Sequence, residues 1–100
     1  MKVNLNKPFS DADGKPVKVG DQEQMICDRL GFTLFNMVDI NGKQATPEQK
    51  YMAYCILRKI KQNPSEVELS TEEATMLKTI AAETLSAGAY GQIYDIIENK

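Results

Sequence analysis

The acidic side chains in the second half of the chain are the first candidates for catalysis. Glu66, Glu68, Glu72 and Glu73 lie close together, and paired carboxylates can serve as general acid and base. Glu72 and Glu73 follow Ser70 in the order of a capping box, however, so they are better explained as residues that start a helix. The chain has no histidine, which removes the commonest general base and every Cys–His or Ser–His pair. We therefore predict that the protein is not an enzyme.

The residues that could hold a metal ion do not stand at ligand spacing. Cys27 and Cys55 are far apart among apolar neighbours, and without histidine they cannot complete a zinc site. Asp11-Ala12-Asp13-Gly14 begins like a calcium loop, but Pro16 and Gln22 then occupy the positions that need glycine and glutamate. The sequence predicts a turn at this point, two reduced thiols, and no metal or other cofactor.

A basic and aromatic stretch could bind nucleic acid. Lys50, Tyr54, Arg58 and Lys61 recur at helical spacing. Rings beside cations suit single strands, because bases stack on the rings while the phosphates meet the cations. The net charge of −2 and the carboxylates nearby favour an ordinary solvated helix face instead. Nucleic-acid binding is therefore the alternative prediction.

Large aromatic side chains near the two ends of the helical region are the remaining candidates. The chain has more of them on its first and last helices than a small core needs, namely Phe32, Phe35, Tyr90 and Tyr94. Each can be a core residue, but any that remains exposed would form a surface for a protein partner or for a second copy of the chain. These four residues are the predicted partner surface.

Two capping signals position most of these side chains. Thr46 with Gln49, and Ser70 with Glu73, have the spacing of capping boxes. They predict helices over 47–62 and 71–85. Residues 66–69 alternate between polar and apolar, and form either a short strand that pairs with residues 2–5 or an extended linker.

The N-terminal third is predicted to be extended structure followed by a helix. Strands near 16–19 and 23–27 would form a hairpin that turns at Gly20-Asp21, although a helix beginning at Asp21 competes with it. Asp28 can cap a helix over 29–38. A turn over 39–43 ends that helix, and a last helix covers about 89–98.

Composition and these elements together predict the fold class. One hundred residues make one domain, with an extended region over 1–28 and a helical region over 29–98. The expected fold is α+β and predominantly helical, with an N-terminal β-hairpin packed on a three- to four-helix bundle. No segment approaches the roughly 18 apolar residues of a membrane span, and the N-terminus lacks the apolar core of a signal peptide. The sequence therefore predicts no membrane association and a cytoplasmic location.

Five stretches of the chain follow one another in a recognisable order, namely Lys7–Val17, Leu30–Leu34, Arg58–Ile60, Glu66–Glu73 and Gly91–Glu98. Their order resembles a family of small proteins encoded by tailed phages and prophages. The resemblance implies a phage origin and an accessory, non-enzymatic role in particle assembly or in modulating a host factor, in the host cytoplasm or the virion. It assigns no functional residue, and it favours a first helix that begins after Asp28 rather than at Asp21.

Overall fold

Four helices contain 51% of the chain in the computed structural model, which describes residues 1–100. Short antiparallel strand pairs supply the rest of the regular structure, so the fold is α+β and predominantly helical, as predicted. The helices are α1 (Ile26–Phe35), α2 (Pro47–Gln62), α3 (Thr71–Thr84) and α4 (Ala87–Ile97). The strands are β1 (Lys2–Val3), β2 (Lys18–Val19), β3 (Gln22–Glu23), β4 (Asp39–Ile40), β5 (Lys43–Gln44) and β6 (Val67–Glu68).

Both predicted capping boxes are present. The backbone N–H of Gln49 donates to Thr46 Oγ1 at 3.1 Å, and the N–H of Thr46 donates to the Gln49 side chain at 2.9 Å. Ser70 and Glu73 make the same reciprocal pair at 3.1 and 2.8 Å. Because each box satisfies N–H groups that the helix leaves free, α2 and α3 begin at the predicted residues. α2 also ends where predicted, and α3 ends one residue earlier than predicted.

The first helix begins earlier than the sequence indicates. Met25 is its N-cap and makes no side-chain cap, while Asp28 lies inside the first turn. The prediction of a helix over 29–38 capped by Asp28 is therefore wrong at both ends, since Met37 and Val38 lie beyond the helix. Leu30 and Leu34 lie on the core side of α1, whereas Phe32 and Phe35 are exposed.

The last helix also begins earlier than predicted. Ser86 caps it by accepting from the N–H of Ala89 at 3.3 Å, so α4 starts at Ala87 rather than near 89. Ile93 and Ile97 are its buried residues. With this short helix docked, the bundle has four helices.

Residues near the N-terminus pair with a strand from the middle of the chain. β1 and β6 are antiparallel, with Lys2 opposite Glu68 and Val3 opposite Val67. Of the two alternatives for residues 66–69, the strand is therefore the one that forms. Val3 and Val67 are both buried, which fixes the pair to the core.

Two further hairpins are shorter or less expected. β2 and β3 turn at Gly20-Asp21 as predicted, but the second strand stops at Glu23 because the chain then enters α1. β4 and β5 form a hairpin where the sequence predicts only a turn. Its two central residues, Asn41 and Gly42, have φ of 59° and 75°, the left-handed pair that a two-residue hairpin requires.

One apolar cluster of 22 buried side chains joins the helices to the N-terminal segment. α1 packs mainly on α2, α4 packs mainly on α3, and α3 contacts both α1 and α2. Phe9 and Leu5 bring the N-terminal segment into the same cluster. No helix is long and apolar enough to cross a bilayer.

Candidate functional site

The four predicted aromatic residues occupy two different settings. On α1, Phe32 and Phe35 are 62% and 71% exposed. On α4, Tyr90 and Tyr94 are half-buried, with ring centroids 6.0 Å apart. Because α4 packs on α3 and not principally on α1, the phenylalanines and the tyrosines form two pairs rather than one patch.

Two lysine ammonium groups lie over the face of the Tyr94 ring. The Nζ atoms of Lys78 and Lys100 lie 5.6 and 5.4 Å from the ring centroid. Lys78 also pairs with Glu98 at 3.0 Å. Cation–π contacts of this kind stabilise a local arrangement, so Tyr94 helps to dock α4 on α3.

A shallow groove beside Phe32 and Phe35 exists because α1 and α2 approach closely. A Cβ atom added at Gly31 would lie 3.3 Å from Leu57 Cδ1, so glycine permits the contact. The groove has a volume of about 420 Å³ and continues onto the side chain of Lys61. It therefore joins the exposed phenylalanines of α1 to the basic face of α2.

The basic face of α2 is a connected strip of rings and cations. Tyr51 and Tyr54 are exposed, with ring centroids 6.3 Å apart. The Arg58 guanidinium lies 5.1 Å from the Tyr54 ring centroid and donates to Cys55 Sγ at 3.6 Å. Lys50 and Lys61 are exposed at either end. The structure thus places all four residues of the predicted nucleic-acid face on one side of α2, together with Tyr51, whose ring the sequence also interleaves with these cations.

The cations of this strip have no carboxylate partners. The ion pairs of the molecule join the Met1 amine to Glu68, Lys59 to Glu73, and Lys78 to Glu98. Two of the carboxylates that could offset the charge of this face, Glu68 and Glu73, therefore pair with the Met1 amine and with Lys59 instead. We call the whole region the aromatic–basic surface, and its residues are Phe32, Phe35, Lys50, Tyr51, Tyr54, Arg58 and Lys61.

The two cysteines are free thiols in different surroundings. Cys27 is buried in the core, and burial, together with the Asp28 carboxylate, raises the pKa of its thiol. Cys55 is half-buried at the edge of the aromatic–basic surface. The sequence interpretation of both as small apolar residues fits Cys27 better than Cys55.

Alkylation should separate the two thiols. We expect iodoacetamide at pH 8 to modify Cys55 well before Cys27, because the thiolate is the nucleophile and burial suppresses both its formation and its access. Mass spectrometry of peptides taken over a time course measures the two rates. Equal rates in the folded protein would contradict the burial of Cys27, and equal rates in urea are the control.

No group of three or more Cys, Asp or Glu side chains is arranged to hold a metal ion. Comparison with models of known protein families, with curated proteins and with solved structures finds no match for this chain. What the protein does must therefore be argued from its own surface.

Proposed function

We propose that the protein is not an enzyme and acts by binding another protein through the aromatic–basic surface. The observation that supports this most strongly is the exposure of Phe32 and Phe35 beside the α1–α2 groove. Exposed apolar patches on small proteins mark interaction sites, and buried aromatic and arginine side chains carry much of the energy of protein interfaces. The resemblance to phage proteins suggests a partner in the phage particle or in the host.

Charge complementarity points to the chemistry of this partner. Lys50, Arg58 and Lys61 border the aromatic residues and have no carboxylate within 4.0 Å. A helix with an apolar face and with Asp or Glu along the edge that meets α2 would fill the groove and pair with these cations, while its other edge would have to be free of acids beside Asp28. Two copies of the chain joined face to face would place like charges together, so an acidic helix of a different protein is the proposed occupant.

Removing the phenylalanines should weaken this binding without unfolding the protein. We expect Phe32→Ala and Phe35→Ala each to reduce affinity by about tenfold, because aromatic anchors at interfaces commonly contribute on the order of 1–2 kcal/mol or more. Unfolding free energies should change by less than about 0.5 kcal/mol, since both rings are exposed. Titration calorimetry against the partner and urea unfolding measure the two quantities.

The partner can be sought in a way that tests the surface itself. Tagged wild-type protein and a Phe32→Asp/Phe35→Asp variant are compared in pull-downs from infected host lysate and from purified particles. Val19→Asp is the matched control, because Val19 is equally exposed but lies on β2, outside the surface. A protein lost with the first variant and retained with the control supports the proposal. Proteins retained equally by all three contradict it.

The geometry of α2 favours single-stranded nucleic acid as the second candidate. Tyr51, Tyr54 and Arg58 present adjacent rings and a cation, and bases stack on such groups in a sequence-tolerant way. Three cations on phosphates predict a salt slope of about −2, so a fourfold rise in salt should weaken binding by about 20-fold. Fluorescence anisotropy of a labelled oligothymidylate measures it. If Arg58→Glu abolishes function while Phe32→Asp does not, the protein-binding proposal is wrong.

A further inference from the structure

A second cleft lies away from the α1–α2 groove, where the N-terminal segment meets the start of α4. Its volume is about 610 Å³, within the range of small-molecule sites. Val17 and the small accessible part of Phe9 contribute apolar surface from one side, and Leu85 and Ala89 contribute it from the other. The cleft therefore has two apolar walls from distant parts of the chain.

One wall is held in place by the side chain of Gln92. Its Oε1 accepts from the backbone N–H of Ser10 at 2.7 Å, and its Nε2 donates to the carbonyl of Ser10 at 2.9 Å and to that of Gly88 at 2.9 Å. The amide thus pairs with the N-terminal segment as a neighbouring strand would. Because these polar groups are mutually satisfied, they are not the ones that await a ligand.

Arg29, Gln24 and Ser10 are the residues of the cleft whose polar side chains lack hydrogen-bond partners. The half-buried Arg29 guanidinium makes no hydrogen bond and lies within 4.0 Å of no carboxylate; Gln24, also half-buried, makes no side-chain hydrogen bond. Asp11, the one carboxylate of the cleft, is tied to its own turn, since its Oδ1 accepts from the N–H groups of Asp13 and Lys15. No fully buried side-chain N or O atom lacks a partner, so the free donors of Arg29 open to solvent.

Arg29 also stands where three cavities meet. With Thr84 it lines both the 610 Å³ cleft and a neighbouring cavity of about 340 Å³, and with Gln24 it lines a third cavity of about 290 Å³. Its guanidinium lies 5.8 Å from the centroid of the Phe32 ring, so it stands at the boundary between the cleft and the aromatic–basic surface.

We propose that this cleft binds a small organic carboxylate, with the anion on Arg29 and the apolar body between Val17 and Leu85. A guanidinium presents parallel N–H donors that match a carboxylate in a bidentate pair. Gln24 supplies a neutral donor beside it. The anchor borders the aromatic–basic surface, since the Arg29 guanidinium lies beside the Phe32 ring, but the proposal does not depend on protein binding there.

Indole-3-acetate and its neutral isostere indole-3-acetamide are suitable probes. In ¹H–¹⁵N NMR titrations of the whole protein, we expect the acetate to shift the backbone amides of Ser10, Gln24 and Ala89, with a dissociation constant of about 1 mM or tighter. The acetamide should bind at least about tenfold more weakly, because it cannot form the charged pair. Shifts scattered over the molecule, or equal binding of acetate and acetamide, would overturn the proposal.

Variants of the two arginines test the role of the charge. Arg29→Met keeps an apolar stem and should remove the preference for acetate over acetamide. Arg58→Met is the matched control and should retain it, because Arg58 is the only other arginine and lies on α2 outside the cleft. A preference that survives Arg29→Met, or that is lost equally in both variants, shows that Arg29 is not the anchor.

Inorganic phosphate that binds as tightly as the acetate would show that the apolar walls contribute nothing, and would also overturn the proposal.

A second pair of variants tests the cleft without touching any charge. Gly88 lines the cleft, and a Cβ atom added there would have no neighbouring atom within 4 Å; Gly91 has the same open space but does not line the cleft. Neither has a left-handed φ, so both accept a side chain. Gly88→Leu should weaken acetate binding by about tenfold, because the new side chain would occupy space in the cleft that the ligand needs. Gly91→Leu should leave acetate binding unchanged. Equal effects would contradict the assignment.

Discussion

Replacing Leu77 with alanine is expected to lower the free energy of unfolding by about 2–5 kcal/mol. Leu77 is 0% exposed on α3, the helix that contacts all three others. The lost side chain therefore removes contacts from the centre of the cluster and leaves a cavity that the surrounding helices cannot easily close. For a domain whose total stability is about 5–15 kcal/mol, this is a large fraction. Urea unfolding followed by circular dichroism measures the change.

Leu85→Ala is the matched control for this substitution. Leu85 is the C-cap of the same helix and is only partly buried at the edge of the core, so its truncation should cost about 1 kcal/mol, near the average for point substitutions. If the two variants lost equal stability, the core would not be centred on α3. Unfolding monitored by helix content and by tyrosine fluorescence should coincide for both, because one cluster connects the helices.

Breaking the Lys59–Glu73 ion pair is the next largest expected effect. Glu73 is 8% exposed, and Lys59 Nζ donates to its two carboxylate oxygens at 2.8 and 3.0 Å. Lys59→Met leaves that carboxylate poorly hydrated and without its cation, and should cost about 2 kcal/mol. The partial exposure of Lys59 keeps the cost below that of a fully buried pair.

The same pair should make stability depend on pH. Burial raises the pKa of Glu73, but hydrogen bonds from Lys59 and Ser70 outweigh it and hold the pKa below its usual value. A carboxyl group with a lowered folded-state pKa stabilises the protein above the pKa of the unfolded chain, about 4.3. That stability is lost as the pH falls through the folded-state pKa. Stability should therefore decline below about pH 5.

Glu73→Gln isolates this contribution. The amide oxygen can still accept from the N–H of Ser70, so the helix cap is kept while the charge is removed. The variant should be less stable at pH 7 and should lose part of the decline at low pH. Glu72→Gln, in the same helical turn but outside every ion pair, should keep the wild-type pH profile. Parallel profiles for wild type and Glu73→Gln would contradict the assignment.

How far the fold can be predicted from sequence depends on where side chains mark the ends of elements. Thr46 and Ser70 place α2 and α3 because a hydroxyl and its partner three residues later satisfy the first N–H groups of the helix. Met25 offers no such group. The start of α1 is set instead by burial of Ile26 and Cys27 against the core, which only the folded molecule reveals. Asp28 has the side chain of a cap, and for that reason it misplaces the predicted start.

The β4–β5 hairpin could have been predicted from the sequence. Asn41-Gly42 is the pair that a two-residue hairpin favours, although the same pair also fits a turn that ends a helix. A long-range contact then fixes the hairpin. The Glu83 carboxylate accepts from the N–H groups of Asn41 and Gly42 at 2.9 and 3.0 Å, and no local pattern predicts that partner on α3.

The candidate binding surfaces can be predicted from the sequence only in part. Helical spacing places Lys50, Tyr54, Arg58 and Lys61 on one face of α2, and the structure brings them together. Helical spacing also places Phe32 on the side of α1 opposite Leu30 and Leu34, but spacing alone does not show that no other element covers that side. The cleft at Arg29 has no sequence signal at all, because residues from opposite ends of the chain form its walls.

The contact made by the Gln92 side chain affects the order in which parts of the chain fold. It contacts a residue 82 positions earlier, whereas α1 and α2 pack between neighbouring segments of the chain. Each doubling of a closed loop costs only about 0.6 kcal/mol, but contacts this distant in sequence slow folding. During synthesis on the ribosome β1 can pair with β6 before α4 is made, but the stretch around Ser10 must wait for α4 to complete its contacts. In the finished protein, release of the Ser10–Gln92 pair would separate only that stretch from α4, and a molecule bound in the cleft would delay its release.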